Sequence, residues 1–270
     1  MKSKFFIKIF FHLCSFILLT TLTQIGGIIY LISLSIISNK KSKHRIKRFF
    51  TFLLLYLFST LLIIPNIAPY FGRVKIEDIY RIKSHNYFIK FSNRNYVTPK
   101  MQAVLTDVSL RFNKEFPGIK LIYLDANFPF FDGFPLFPHL SHNDGKKIDL
   151  AFIYKDNKEK IINSKPSNSG YGVFEEPLKG ELSQNEICKR NGFWQYDFTK
   201  YLTFGATNED IKLSKKATKR LIQIILKNED VSKIFIEPHL KNRLNLNNSK
   251  VRFHGCRTVR HDDHIHFQIR

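Results

Sequence analysis

The sequence predicts an α+β domain, a mainly antiparallel sheet with flanking helices, preceded by a two-helix transmembrane hairpin. Three observations lead there. Two long apolar runs lie near the start of the chain. After residue 99, segments of helical and strand period alternate without a steady βαβ repeat. The chain then closes on "HIHFQIR" (264–270), a strand pattern that sets two histidines on one face.

The apolar runs come first in the chain. Residues 9–38 contain no Lys, Arg, Asp or Glu. As one helix they would extend roughly 45 Å, more than the ~30 Å hydrocarbon core requires. Gly26-Gly27 reads as a kink in that span, and the run is too long for the apolar part of an ordinary signal peptide. The second run, 49–71, carries Pro65 and Pro69 near its far end. Between them "NKKSKHRIKR" (39–48) holds six Lys/Arg. The positive-inside rule keeps such a loop in the cytoplasm. Both ends of the hairpin then point outward, and everything after residue 72 is expected to be extracytoplasmic, in the periplasm beside a bacterial inner membrane. Lys2, Lys4 and Lys8 pull the N-terminus the opposite way.

Charge is uneven along the chain. It carries 43 Lys+Arg against 22 Asp+Glu, and residues 1–72 contribute nine of the bases and no acid. The remaining basic excess suits an anionic partner such as nucleic acid, lipid or cell wall. No stacking motif or recognition helix marks nucleic acid, so none is expected as a partner. Of the three cysteines, Cys14 sits in an apolar run and reads as packing. There is no CxxC, which argues against a cysteine zinc site, whereas Cys188 and Cys256 can pair outside the cytoplasm.

Residues 73–99 read as a polar connector or small subdomain, so the main domain is assigned to 100–270. Residues 99–116 read as a helix and 118–126 as a strand. The loop "NFPFFDGFPLFP" (127–138) is broken by three prolines and a glycine. Its phenylalanines are expected to pack partly into the core, with a wall of the substrate cleft as the alternative. A strand is expected over 146–154 and a loop-rich stretch over 155–192. The aromatics Phe193, Trp194 and Tyr196 are expected in the core. Residues 214–228 form a helix capped by Ser214, and 231–238 and 264–270 form strands.

The chemistry concentrates in two places. On the closing strand, His264 and His266 look into one cleft while Ile265 packs behind the sheet. An isolated HxH pair is more often structural than metal-binding, but "PHLSHNDGKKIDL" (138–150) supplies His139, His142 and Asp149 as well. Gly145 permits a tight turn between His142 and the strand bearing Asp149. His, Asp and His leave a fourth coordination position open, as in catalytic zinc sites. Imidazole and carboxylate donors suit zinc.

The order Ser141-His142-x-x-Gly145-x-x-x-Asp149, then His264-x-His266, resembles the LAS metallopeptidases, the group of lysostaphin and the D-Ala-D-Ala carboxypeptidases. The closest likeness is to the penicillin-insensitive murein endopeptidases, with His139 and His261 matching flanking histidines and "IFIEPHLKNRL" (234–244) adding to it. The resemblance covers roughly residues 100–270. It implies that His142, Asp149 and His266 bind Zn2+ and that His264 acts as general base or transition-state stabiliser. His139 and His261 would line the site, and the substrate would be a peptidoglycan peptide. Asp262 and Asp263 are candidates for orienting imidazoles, while Glu175 and Glu176 are left without a role. The membrane hairpin, and Lys146-Lys147 where the pattern favours apolar or small residues, depart from the family. A D-Ala-D-Ala carboxypeptidase and an inactive zinc-containing wall-binding module are the alternatives. An HD-type phosphohydrolase, suggested by His261-Asp262, is disfavoured because that motif here precedes a strand rather than lying in a helical bundle.

Overall fold

The structure is a computed structural model that describes residues 2–37, 42–205, 208 and 210–270; Lys40 and Lys41 of the basic loop lie outside them. It is an α+β protein with mixed sheets.

The first apolar run is not one straight span. Helix α1 (Lys2–Thr23) ends where Gln24 takes a left-handed conformation, and helix α2 (Gly26–Ile36) folds back along it. Gly26 and Gly27 serve close approach: a Cβ on Gly27 would lie 2.0 Å from Thr20 Oγ1 and 2.7 Å from the Phe16 carbonyl. Further along, the hydroxyl of Tyr30 meets His12 Nδ1 at 2.6 Å. Helix α3 (His44–Phe58) packs on α2 and continues through a π-turn and short helical turns to Phe71. Two stretches, Lys4–Thr23 and His44–Phe71, are long and apolar enough to cross a membrane.

The outer ends of these helices hold the domain. Gln24 clasps the Phe130 backbone from both sides, donating to its carbonyl (2.8 Å) and accepting from its N–H (3.0 Å). Phe71 packs edge-on against Phe130 and Phe131, and the Tyr56 hydroxyl donates to the Phe91 carbonyl at 2.5 Å.

Residues 73–99 are integral to the domain rather than a connector. Ile76, Ile82, Ile89 and Val97 are buried in the main core. Ile82–Ser84 forms β1 of a six-stranded sheet with β2 (Leu121–Tyr123), β3 (Lys147–Ala151), β4 (Val231–Phe235), β5 (Val251–Arg252) and β6 (His264–Ile269). The spatial order is β5-β4-β6-β3-β2-β1. The three central pairings are antiparallel and the two outer ones parallel, so the sheet is mixed. A three-stranded sheet and a two-stranded ribbon flank it.

Two amphipathic helices cover one face, α4 (Pro99–Glu115) and α5 (Lys215–Leu226). Thr98 and Ser214 cap them by accepting from Met101 N (3.2 Å) and Ala217 N (3.4 Å). Leu105, Val108, Phe112, Leu221 and Ile225 pack with Ile148, Leu150, Ile265 and Phe267 of β3 and β6. Each such burial contributes about 1.5–3 kcal/mol. Period-2 alternation then turns Asp149, His264 and His266 to the other face.

Candidate metal centre

The register of β3 and β6 builds the centre. His266 stands opposite Asp149, and His264 opposite Ala151. His266 Nδ1 lies 2.8 Å from Asp149 Oδ1. His142 arrives from the preceding loop, which reaches β3 through Gly145 in a left-handed conformation; a Cβ there would strike the Arg73 guanidinium. The His142 ring is aimed by its Nδ1–H, assigned as donor to the Ala126 carbonyl at 2.7 Å. Its Nε2 then lies 3.2 Å from Asp149 Oδ1 and 3.1 Å from His266 Nδ1.

The other Asp149 oxygen has its own partners. His139 Nδ1 lies 2.9 Å from Oδ2, and the Tyr171 hydroxyl donates to it at 2.9 Å. His139, His142 and Asp149 thus form a buried group, its ligand atoms within 4.8 Å of one another, that can hold a metal ion. Behind it, Arg94 grips Asp125 bidentately at 2.7 and 2.9 Å, and Asp125 Oδ2 is 3.4 Å from His139 Nδ1.

His264 lies beside this group, its Nε2 3.6 Å from Asp149 Oδ1 and without a hydrogen-bond partner among the described residues. Its Nδ1 is hydrogen-bonded to Asp263, whose other oxygen accepts from Gly172 N at 2.7 Å. Asp262 behaves differently: Arg260 holds it, and Arg260 also pairs with Glu176. Of the two aspartates, Asp263 therefore orients a site imidazole, while Asp262 anchors the loop. The His261 ring lies 5.0 Å from that of His264 and 5.6 Å from that of His266. Its backbone N–H donates to Glu237 at 3.1 Å.

Electrostatics sort the imidazoles. Burial opposes charge on Asp149, yet His142, His264 and His139 hold its carboxyl well below the usual range. Burial pushes His266 down to about 3 and His261 well below its ordinary value. His139 is also buried, but Asp149 and Asp125 hold it up at about 9. His264 is raised above its ordinary value, since Asp149 and Asp263 outweigh its burial.

A cleft of about 320 Å³ opens over these residues, walled by Phe137, Leu140, Trp194, Phe198 and Arg257. The aromatics expected in the core divide: Tyr196 is buried, while Trp194 is exposed and lines the cleft. The phenylalanine loop divides likewise, Phe128 going to the core and Phe137 to the cleft.

Sequence reasoning missed Asp125, Arg94, Tyr171 and His254. His254 stacks on Phe235 with ring centroids 3.9 Å apart and lines the cleft; burial lowers it to about 4. None of the four lies in a spaced motif, and no local signal marks them. Models of known protein families give no match to this chain, and no curated protein matches it.

Proposed function

We propose that the protein is a membrane-anchored zinc peptidase acting on peptidoglycan peptides, like the murein endopeptidases its two histidine motifs resemble. One observation carries the reading: His142 Nε2, Asp149 Oδ1 and His266 Nδ1 converge to within 2.8–3.2 Å of one another. A tetrahedral ion bonded at 2.0–2.1 Å spaces its ligand atoms by roughly 3.3 Å. His266 is held neutral and Asp149 ionised, and His142 Nδ1 is taken up by the Ala126 carbonyl, so few protons are available to separate the three converging atoms. A divalent ion satisfies all three at once.

Electrostatics distinguish His139 from His266 as third ligand. His139 is wedged between two carboxylates and favours the protonated form. It serves better as a cation steadying Asp149 and any negative charge that develops on the substrate. Imidazole and carboxylate donors suit zinc.

When bound, zinc polarises a carbonyl and lowers the pKa of water toward ~7. The chain supplies the rest. Asp263 fixes His264 so that Nε2 faces the cleft, where it can take a proton and return it to the leaving amine. His261, neutral and beside both His264 and His266, lines the same cleft. The aromatic walls position a peptide.

Helix α2 supports the membrane reading. Because the chain turns back at Gln24, Lys4 and Lys8 lie at the same end of the helices as Arg45 and Arg48. The conflict between N-terminal lysines and basic loop disappears: both occupy one face, the cytoplasmic one by the positive-inside rule. His44–Phe71 then carries the domain to the opposite, periplasmic side. The Cys188–Cys256 disulfide suits that compartment.

The test is to incubate the detergent-purified full chain, with and without zinc, with isolated peptidoglycan and to analyse the muropeptides by mass spectrometry. Zinc-dependent loss of cross-linked peptides is expected. His264→Ala should keep its metal and lose activity by roughly 10²–10⁴-fold. Release of terminal D-Ala alone would identify a carboxypeptidase, and bound zinc with no product on any wall substrate would indicate an inactive module.

A further inference from the structure

The membrane helices enclose a space that the peptidase reading does not use. Helix α2 packs on both α1 and α3, and being only 11 residues long it leaves a wedge between them. This cavity, about 850 Å³, has two chemically distinct parts. At the end nearest the N-terminus its walls carry Lys4, Lys8, Arg45 and Arg48. Farther along α1 and α3 they are largely apolar, with Phe11, Leu18 and Phe52 beside the hydrogen-bonded His12–Tyr30 pair. From Phe11 to Leu18 a helix rises roughly 10 Å, so the apolar part is long enough to take a portion of an acyl chain.

Three of these cations, Lys4, Lys8 and Arg45, have no carboxylate beside them among the described residues. Residues 1–72 contain no Asp or Glu, so no carboxylate on these helices can neutralise them. Arg48 is committed otherwise, donating to the Ile37 and Leu34 carbonyls and closing the α2–α3 turn. Clustered cations at the edge of a hydrocarbon layer are costly without an anion, and basic pockets between membrane helices take anionic headgroups.

We propose that this wedge binds one anionic phospholipid, its phosphate at Lys4, Lys8 and Arg45 and an acyl chain along Phe11, Leu18 and Phe52. The inference rests on the reading that these helices span a membrane, and not on the metal chemistry. A free phosphate would satisfy the cations but leave the apolar wall uncovered; a phospholipid covers both.

The experiment uses the full chain reconstituted in nanodiscs of mixed phosphatidylglycerol and phosphatidylcholine, with retained lipid read by native mass spectrometry. One retained phosphatidylglycerol per chain is expected, favoured over phosphatidylcholine by at least about tenfold. Lys8→Gln should reduce its retention several-fold, whereas Lys47→Gln, a cation outside the wedge, should leave it unchanged. Equal retention of both lipids, or equal loss in the two variants, would overturn the proposal. So would displacement of the lipid by millimolar inorganic phosphate, which would mark a soluble-anion site. Alkaline carbonate extraction of cell membranes separates the two readings: a chain that stays in the membrane but retains no phosphatidylglycerol contradicts the lipid site alone, and a chain that is extracted contradicts the membrane reading and the lipid site with it.

Discussion

Asp149 and His266 face each other across adjacent antiparallel strands, paired in register, with Oδ1 and Nδ1 2.8 Å apart. A slip of β6 by one residue would turn His266 into the helix-covered core and leave Asp149 facing the site without it. Asp149→Asn keeps the size of the side chain but removes its charge. It should fold and lose metal affinity by more than the roughly 10–100-fold typical of losing a supporting hydrogen bond. Competition against a chelating dye measures this.

Among the described residues, the hydrogen bond that links Asp263 to the site runs through His264. Asp263→Ala should lower the proposed peptidase activity about 10–100-fold with metal content unchanged. Its pH–rate profile should also shift, because His264 loses the carboxylate that helps hold its pKa up. A metal content that falls in step with activity would instead assign Asp263 a structural role.

Acid stability should depend on Asp125. Burial opposes its charge, but Arg94 and His139 prevail and hold it at about 2. An unfolded chain protonates the same carboxyl near 3.9. As pH falls, the unfolded state therefore takes up the proton first. The stabilisation, about 2–3 kcal/mol, is complete above roughly pH 5 and fades as pH drops toward 2. Urea unfolding of the detergent-solubilised chain, followed by circular dichroism, should show this slope. Asp125→Asn should flatten it while lowering stability at every pH, since Arg94 is left buried and unpaired.

The Cys188–Cys256 disulfide joins two positions 68 residues apart and ties the Gln184–Arg190 helix to the segment leading into β6. Its loss should cost about 2–5 kcal/mol. Cys188→Ser with Cys256→Ser, compared with the parent in urea, tests this; an unchanged midpoint would contradict it.

The parts of the site legible in the sequence were those with a local period or spacing. Alternation in "HIHFQIR" placed His264 and His266 together and Ile265 behind them, and Gly145 marked the turn leading to Asp149. Helices α4 and α5 were readable from their caps and apolar spacing. Asp125, Arg94, Tyr171 and His254 come together only through tertiary packing, so no local pattern could announce them. The apolar run 9–38 misled for a related reason. Composition reports that a segment is apolar but not whether it turns back, and the turn depends on Gly26 closing against Thr23 and Leu19 and Gly27 against Thr20 and Phe16. Residues 73–99 looked like a connector because their strands are two or three residues long, too short for periodicity to register.

The central claim is tested most directly by anomalous diffraction at the zinc edge from crystals of the full chain grown with the metal. A single peak within about 2.0–2.2 Å of His142 Nε2, Asp149 Oδ1 and His266 Nδ1, with His139 and His264 outside bonding distance, is the predicted result. An ion bonded to His139 in place of His266, or no ion among these side chains at saturating zinc, would contradict it.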